Sequence, residues 1–409
     1  MCHRRCARRS HPSHLSRDRL NMALQTLSQT FNAFFDSEKP AGILLLACTV
    51  VSIVLANSPA GGAYLGFWQS SFLGLSIEHW INDGLMAIFF LLIGLELERE
   101  MYVGELSNVR NALLPLFAAI GGMVAPALIY YSLNAGTPTQ AGIGIPMATD
   151  IAFALGVLAI LGSRVPASLK VFVVAFAVID DLGAIVIIAV FYTAQLSIGY
   201  LLAALAVWCL LVAFNRLFRV MHLLPYLMGG ALMWFFMLRS GVHATIAGVL
   251  LAFAIPFSAK DNDQNSPSHQ LEHALHKPVA FIILPIFALA NTGIVIQAGW
   301  FQQLTSANSL GIAAGLVAGK PLGVLLLCVL AVALGICRLP SDLKWSHMVG
   351  AGMLGGIGFT MSIFITNLAF AADPAIIAAS KITILLASLL AALLGFLWLR
   401  FTSVRQIPF

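Results

Sequence analysis

Three aspartates and a lysine stand in stretches of this sequence that are otherwise apolar. Asp180 and Asp181, in VIDDLGAI, lie about eleven residues into the run 169–194; Asp150 follows Thr149 in the middle of 141–162; Lys320, in AGKPLG, sits within 309–336. An ionisable group inside a bilayer costs roughly 2.5–3.5 kcal/mol on insertion scales, so each is a functional candidate by default. Neighbouring residues on a helix are about 100° apart around its axis, so Asp180 and Asp181 can face one cavity but cannot share a proton face to face. Two carboxylates, the Thr149 hydroxyl and freed backbone carbonyls supply the oxygen shell that hard cations such as Na⁺ and Li⁺ take. A carboxyl moved from water into a low-dielectric interior rises from about pKa 3.9 by as much as 3–5 units, toward the pH of a cell. Proton and cation then compete for the same oxygens. If only loaded carriers change sides, exchange of one ion for the other follows, which is transport and not catalysis. Lys320 can offset a buried carboxylate or the carbonyl end of an interrupted helix, and Asp150 suits the positive ends of half-helices; direct participation in transport is the alternative for both.

These residues need a membrane around them, and the composition calls for one. The 409 residues are 60% hydrophobic and only 10% charged, with a mean hydropathy of +0.92. Soluble domains run about 45–50% apolar and about 25% charged. A spanning helix takes about 20 apolar residues, and runs of helical length fall near 41–57, 79–97, 111–133, 141–162, 169–194, 199–215, 223–238, 241–256, 278–296, 309–336, 347–370 and 375–399. The expected fold is therefore an all-α polytopic membrane protein of twelve transmembrane helices. It forms a single domain over 41–401, between an amino-terminal segment 1–40 and a short tail 402–409. The longest polar interval after residue 40, from about Ser258 to Lys277, is too short for a soluble domain.

Orientation follows from lysine and arginine, which are retained on the cytoplasmic side. With both termini inside, 19 of the 22 fall on the inner side; Arg239 is alone in an outer loop, and Lys320 and Lys381 lie within spans. The net charge of +5 is thus explained by loops and implies no nucleic acid. The fourth run has Gly142, Gly144 and Pro146 ahead of Thr149-Asp150, and the eleventh has Gly350, Gly352, Gly355, Gly356 and Gly358 ahead of Thr360 and Ser362. Unwound backbone at membrane depth survives only where protein buries it or it lines a watery cavity, and matching interruptions in two halves point to a midplane transport site. Spans three to five begin inside and spans ten to twelve begin outside, each triplet with its broken helix central, so they form a candidate inverted repeat. Close packing through glycine is the plainer reading of either stretch alone.

At the inner surface, Glu96, Glu98, Arg99 and Glu100 approach Glu272, His273 and His276 of LEHALH. Histidine titrates in the physiological range, so the cluster is either a pH sensor or a solvated charged helix end. His243, in SGVHATIAG, is a further pH-sensing candidate, with packing the commoner role for a lone helix histidine. No HExxH or CxxC spacing supports zinc, and the six scattered cysteines imply no disulfide framework. Residues 1–21, rich in arginine with three histidines and two cysteines, read as a metal- or lipid-binding tail or as sequence ahead of a start at Met22.

The segments ATDIAFALGVLAILG, VFVVAFAVIDDLGAI, FFLLIGLELERE, SGVHATIAGVLLAF, LEHALH, AGKPLG and GGIGFTMSIFI resemble, in the same order from about Met22 onward, the bacterial NhaA-type sodium/proton antiporters. The resemblance implies twelve spans with crossed broken helices four and eleven, residence in the bacterial inner membrane among its lipids, and no cofactor. It implies electrogenic exchange of one Na⁺ or Li⁺ for two H⁺, in the service of pH and sodium homeostasis. It makes Asp180 and Asp181 the cation and proton site, with Asp181 the essential cation carboxylate and Asp180 the proton-exchanging partner of Lys320. It places Thr149 and Asp150 at the broken helix, and Glu96, Arg99, Glu100, Glu272, His273 and His276 on a pH-sensing surface. Glu98 stands where the pattern often has lysine, and whether the chain works alone or as a homodimer is open. The rival readings are a sodium-coupled symporter of an organic solute, which needs a sizeable polar pocket, and an intramembrane aspartyl protease, whose YD and GxGD motifs are absent from the sequence.

Overall fold

In hydrocarbon every backbone N–H and C=O must be bonded within the chain, so apolar sequence of this kind folds as helix. The protein, seen in a computed structural model, is described over residues 40–403 apart from 194–195, 259–265, 297–298 and the side chain of residue 105. The amino-terminal tail, Lys260 and Arg405 lie outside the described residues. Helix α1 (Pro40–Ala56) turns by 114° into α2 (Gly61–Gln69). A short antiparallel hairpin, β1 (Ser71–Phe72) with β2 (Leu75–Ser76), leads to α3 (Ile77–Tyr102) and α4 (Val109–Asn134). After a 3-10 stretch, Gln140–Met147, come α5 (Ile151–Leu161), α6 (Ala167–Phe191), α7 (Ile198–Arg216), α8 (Leu223–Ser240) and α9 (Ile246–Ala252). The chain continues through α10 (Pro267–Asn291), α11 (Ala307–Ala333), α12 (Trp345–Gly355), α13 (Phe359–Ala369) and α14 (Pro374–Thr402).

Among the described residues nine helical segments are long and apolar enough to cross a membrane, or up to eleven if the bent pairs α1–α2 and α12–α13 are each one span. Each of the twelve apolar runs contains helix, but the run 241–256 differs from the rest. Its helix α9 has seven residues, too short to cross alone. Gly241, at φ +84°, ends α8 in the left-handed conformation, and turns fill the interval to Ile246. The apolar character of α9 serves packing: a Cβ on Gly248 would strike the backbone of Ala87 in α3, and one on Gly94 would strike Ala252.

The helices form two groups. In one, α4, α6, α11, α12 and α14 pack around the interruptions; in the other, α3 packs with α8, α9 and α10, and α7 lies against α8. Between α4 and α11 the approach is at backbone distance, because Gly121 and Gly323 face each other and a Cβ on either would enter the other's carbonyl. That closeness fixes Lys320, about one turn before Gly323. Pro321 has no N–H to give to the preceding turn, and the residues leading into it, Gly315–Gly319, adopt a wider π turn.

Candidate functional site

The two interrupted stretches meet. Between Met147 and Ile151 the helix is open, and between Gly355 and Phe359 the chain bends by 45°. The Asp150 N–H donates to the Ile357 carbonyl at 2.6 Å, backbone to backbone, so the openings cross directly. Carbonyls freed by one break are taken up by side chains of the other: Thr149 Oγ1 donates to Gly355 O at 2.8 Å, and Ser362 Oγ donates to Ile145 O at 2.7 Å.

The Asp150 carboxylate lies where two helix N-termini converge. It accepts from Phe153 N in α5 at 3.1 Å, and from Thr360 N at 3.1 Å and Thr360 Oγ1 at 2.5 Å in α13. A carboxylate there answers the positive ends of two half-helices and caps one of them. Three donors thus converge on Asp150. Thr360 was not among the candidates read from sequence; its signal is a hydroxyl just after a glycine run in a broken helix.

Asp180 and Asp181 enter from α6, both buried. Lys320 Nζ donates to Asp180 Oδ2 at 2.6 Å and to Thr149 Oγ1 at 2.9 Å, with no measurable exposure of lysine or aspartate. The ammonium also lies 5.6 Å from the centre of the Phe176 ring. Thr149 thus links the lysine to the C-terminal, carbonyl-rich end of α12, where a positive charge is favoured. The Oδ1 atoms of Asp180 and Asp181 accept no hydrogen bond among the described residues. Asp181 opens onto a narrow cleft of about 60 Å³, lined also by Thr149, Asp150 and Thr360 and running to Glu96 and His276.

At that end of the cleft Arg99 binds across to α10, Nε to Glu272 Oε1 at 2.8 Å, and to its own neighbour on α3, Nη1 to Glu100 Oε1 at 3.0 Å. Glu98 is buried and accepts from Ser268 Oγ at 3.1 Å, so it ties α3 to α10. His273 is exposed on the outer face of α10. His243 is elsewhere: its Nε2 is 2.8 Å from Tyr192 O, and Tyr192 Oη in turn donates to Ala141 O at 2.7 Å beside the 3-10 stretch. The structure therefore gathers Glu96, Arg99, Glu100, Glu272 and His276 at one end of the path and sets His243 apart from them.

Comparison with known proteins agrees with the motifs. The model of the family Na⁺/H⁺ antiporter 1 matches residues 32–399. A protein of Dechloromonas aromatica named Na⁺/H⁺ antiporter NhaA is 72% identical over 375 residues, covering 92% of this chain and 96% of that protein. Na⁺/H⁺ antiporter NhaA 1 of Flavobacterium johnsoniae is 59% identical, over 92% of this chain and 97% of its own length. Na⁺/H⁺ antiporter NhaA 2 of Pseudomonas syringae pv. syringae is 50% identical, over 90% and 94%. With most of its length matched by the family model and by relatives at this identity, the chain belongs to the NhaA-type Na⁺/H⁺ antiporter family.

Proposed function

We propose that the protein exchanges Na⁺ or Li⁺ for H⁺ across the bacterial inner membrane, the cation and the proton competing for Asp181 and Asp180. The observation that carries this reading is the pair of buried carboxylates whose Oδ1 atoms find no donor among the described residues, one of them opening onto a cleft. Such oxygens can take up a proton or a cation, and the two compete for them. Asp181 is assigned the cation. Asp180 exchanges its proton against the Lys320 ion pair, which forms when the carboxyl is ionised. Thr149 and Asp150 hold the crossed breaks in the geometry that sets Asp181 on the cleft, with Asp180 next to it on α6.

In this reading twelve spans carry an inverted repeat, α4 to α6 against α11 to α14, and both termini are cytoplasmic, so the Glu96–His276 end faces the cytoplasm. Two protons enter per cation expelled, and the net charge moved is worth about 2.3 kcal/mol per 100 mV, so an inside-negative potential drives sodium out. The cell gains control of internal sodium and pH. Glu96, Arg99, Glu100, Glu272, His273 and His276 respond to pH at the cytoplasmic mouth, while His243 acts through Tyr192. The symport alternative is disfavoured by size: pockets for organic ligands measure about 300–1,000 Å³, against about 60 Å³ here.

The test uses purified protein in vesicles with an imposed pH gradient. Adding Na⁺ or Li⁺ discharges the gradient for the wild type and leaves it intact for Asp181→Asn. Discharge by the variant at the wild-type rate contradicts the assignment. A discharge rate that does not respond to membrane potential contradicts the unequal charge exchange.

A further inference from the structure

The cleft reaches Asp181 from one end of α3, α10 and α13; followed past the carboxylates toward the other end, the same three helices close in two layers. Phe364 is about one turn beyond Thr360 on α13, and its ring centre lies 5.6 Å from that of Phe90 of α3 and 6.5 Å from that of Phe287 of α10. All three rings are buried. About one turn further on each of α10 and α13, and two turns on α3, stand Asn291, Asn367 and Asn82, on the same helix faces as the rings.

Asn291 is the hub. Its Nδ2 donates to Asn82 Oδ1 at 2.8 Å and to Phe287 O at 3.0 Å, and its Oδ1 accepts from Asn367 Nδ2 at 2.6 Å and from Asn82 Nδ2 at 3.3 Å. Both donors and both acceptor positions of this carboxamide are used, and Asn291 is 1% exposed. The Asn82–Asn291 bonds tie α3 to α10 within one group, and the Asn367–Asn291 bond alone crosses to the other, where α13 packs against α14 and direct contacts with α10 are few. Carboxamides are neutral, so such a junction separates without leaving a bare charge in the membrane, and polar bonds between membrane helices are weak enough to exchange partners.

We propose that Asn82, Asn291 and Asn367 form a clasp that closes the path at the end opposite the cleft, and that its parting, together with the phenylalanine layer, exposes Asp180 and Asp181 to the far side of the membrane. The inference rests on the exchange proposed at those carboxylates. It gives the alternation a location: the α3–α10 pair separates from α13 at the asparagines.

The full-length double variant Asn82→Cys/Asn367→Cys in vesicles, treated with a short bifunctional methanethiosulfonate, tests this. Once the mass of the intact protein shows the bridge, sodium-driven proton exchange falls by about tenfold or more, as for a locked lid, and a reducing agent restores it. In each single variant the same treatment leaves exchange at that variant's own untreated rate. Exchange by the bridged protein at the unbridged rate overturns the clasp and leaves the carboxylate assignment, judged by Asp181→Asn, untouched.

Should the double variant fail to accumulate, labelling decides. In Asn367→Cys, a membrane-impermeant thiol reagent applied from the side opposite the cleft reacts severalfold faster when Asn291→Ala is added. Unchanged or slower labelling overturns the proposal.

Discussion

Asp150 and Asp181 are both carboxylates buried at the midplane of the helix crossing, yet the protein treats them in opposite ways. Around Asp150 it converges two helix N-termini and a hydroxyl, so three donors reach one side chain. Around Asp181 it leaves an oxygen with no donor among the described residues and opens a cleft beside it. Asp180 stands between the two, one oxygen held by Lys320 and the other without a donor among the described residues. In the function proposed above, a buried carboxylate met by two backbone amides and a hydroxyl fixes geometry, and one left short of donors is held open for a ligand. Burial alone does not separate the two roles. The count of donors does.

Four substitutions sharpen this contrast, in descending order of expected effect. Asp181→Asn abolishes sodium-driven exchange in vesicles while leaving the thermal unfolding temperature unchanged or raised, since it removes a charge that the fold does not satisfy. Loss of folding in that variant would place Asp181 in the same class as Asp150. Lys320→Ala strands Asp180 without its counter-charge, and breaking a buried pair from one side costs about 3–5 kcal/mol; a large drop in unfolding temperature by differential scanning fluorimetry is expected. Restoring most of that stability with the double variant Asp180→Asn/Lys320→Met checks that the lost partner is the cause.

Asp150→Ala removes a helix cap and the link between the breaks, a loss of about 1–3 kcal/mol. It lowers stability and slows exchange without abolishing it, and complete loss of exchange with normal stability would move Asp150 into the ligand class. Thr149→Val gives the smallest change, about 1 kcal/mol, because the threonine makes one bond to Gly355 O and receives one from Lys320. Its exchange rate, compared at saturating sodium, stays within reach of the wild type.

Much of this arrangement is legible in the sequence because the bilayer penalises charge and polar backbone so heavily. Asp180, Asp181 and Lys320 announce themselves by standing in apolar runs, and the glycines before Thr149 and Thr360 mark both interruptions. What escapes is whatever depends on partners distant in sequence. Asn82, Asn291 and Asn367 are unremarkable singly, each near a helix end where polar residues are expected; only packing brings together residues 209 and 76 positions apart. Thr360 was read as part of a broken helix and not as a donor to Asp150, because the crossing angle that aims it is a tertiary property. The run 241–256, whose helix covers only Ile246–Ala252, is less legible for a related reason. Burial against α3 demands the same apolar residues as lipid does, so hydropathy does not show how much of such a run is helix.

The central claim is that cation and proton compete for one carboxylate pair, and it is tested most directly by proton release. Purified protein in lightly buffered detergent is titrated with NaCl while pH is recorded, with choline chloride as the control for ionic strength. The account predicts that Na⁺ displaces protons saturably from the wild type, that Li⁺ does the same, and that Asp181→Asn releases none. Saturable sodium binding without proton release, or equal release from the variant, would contradict it.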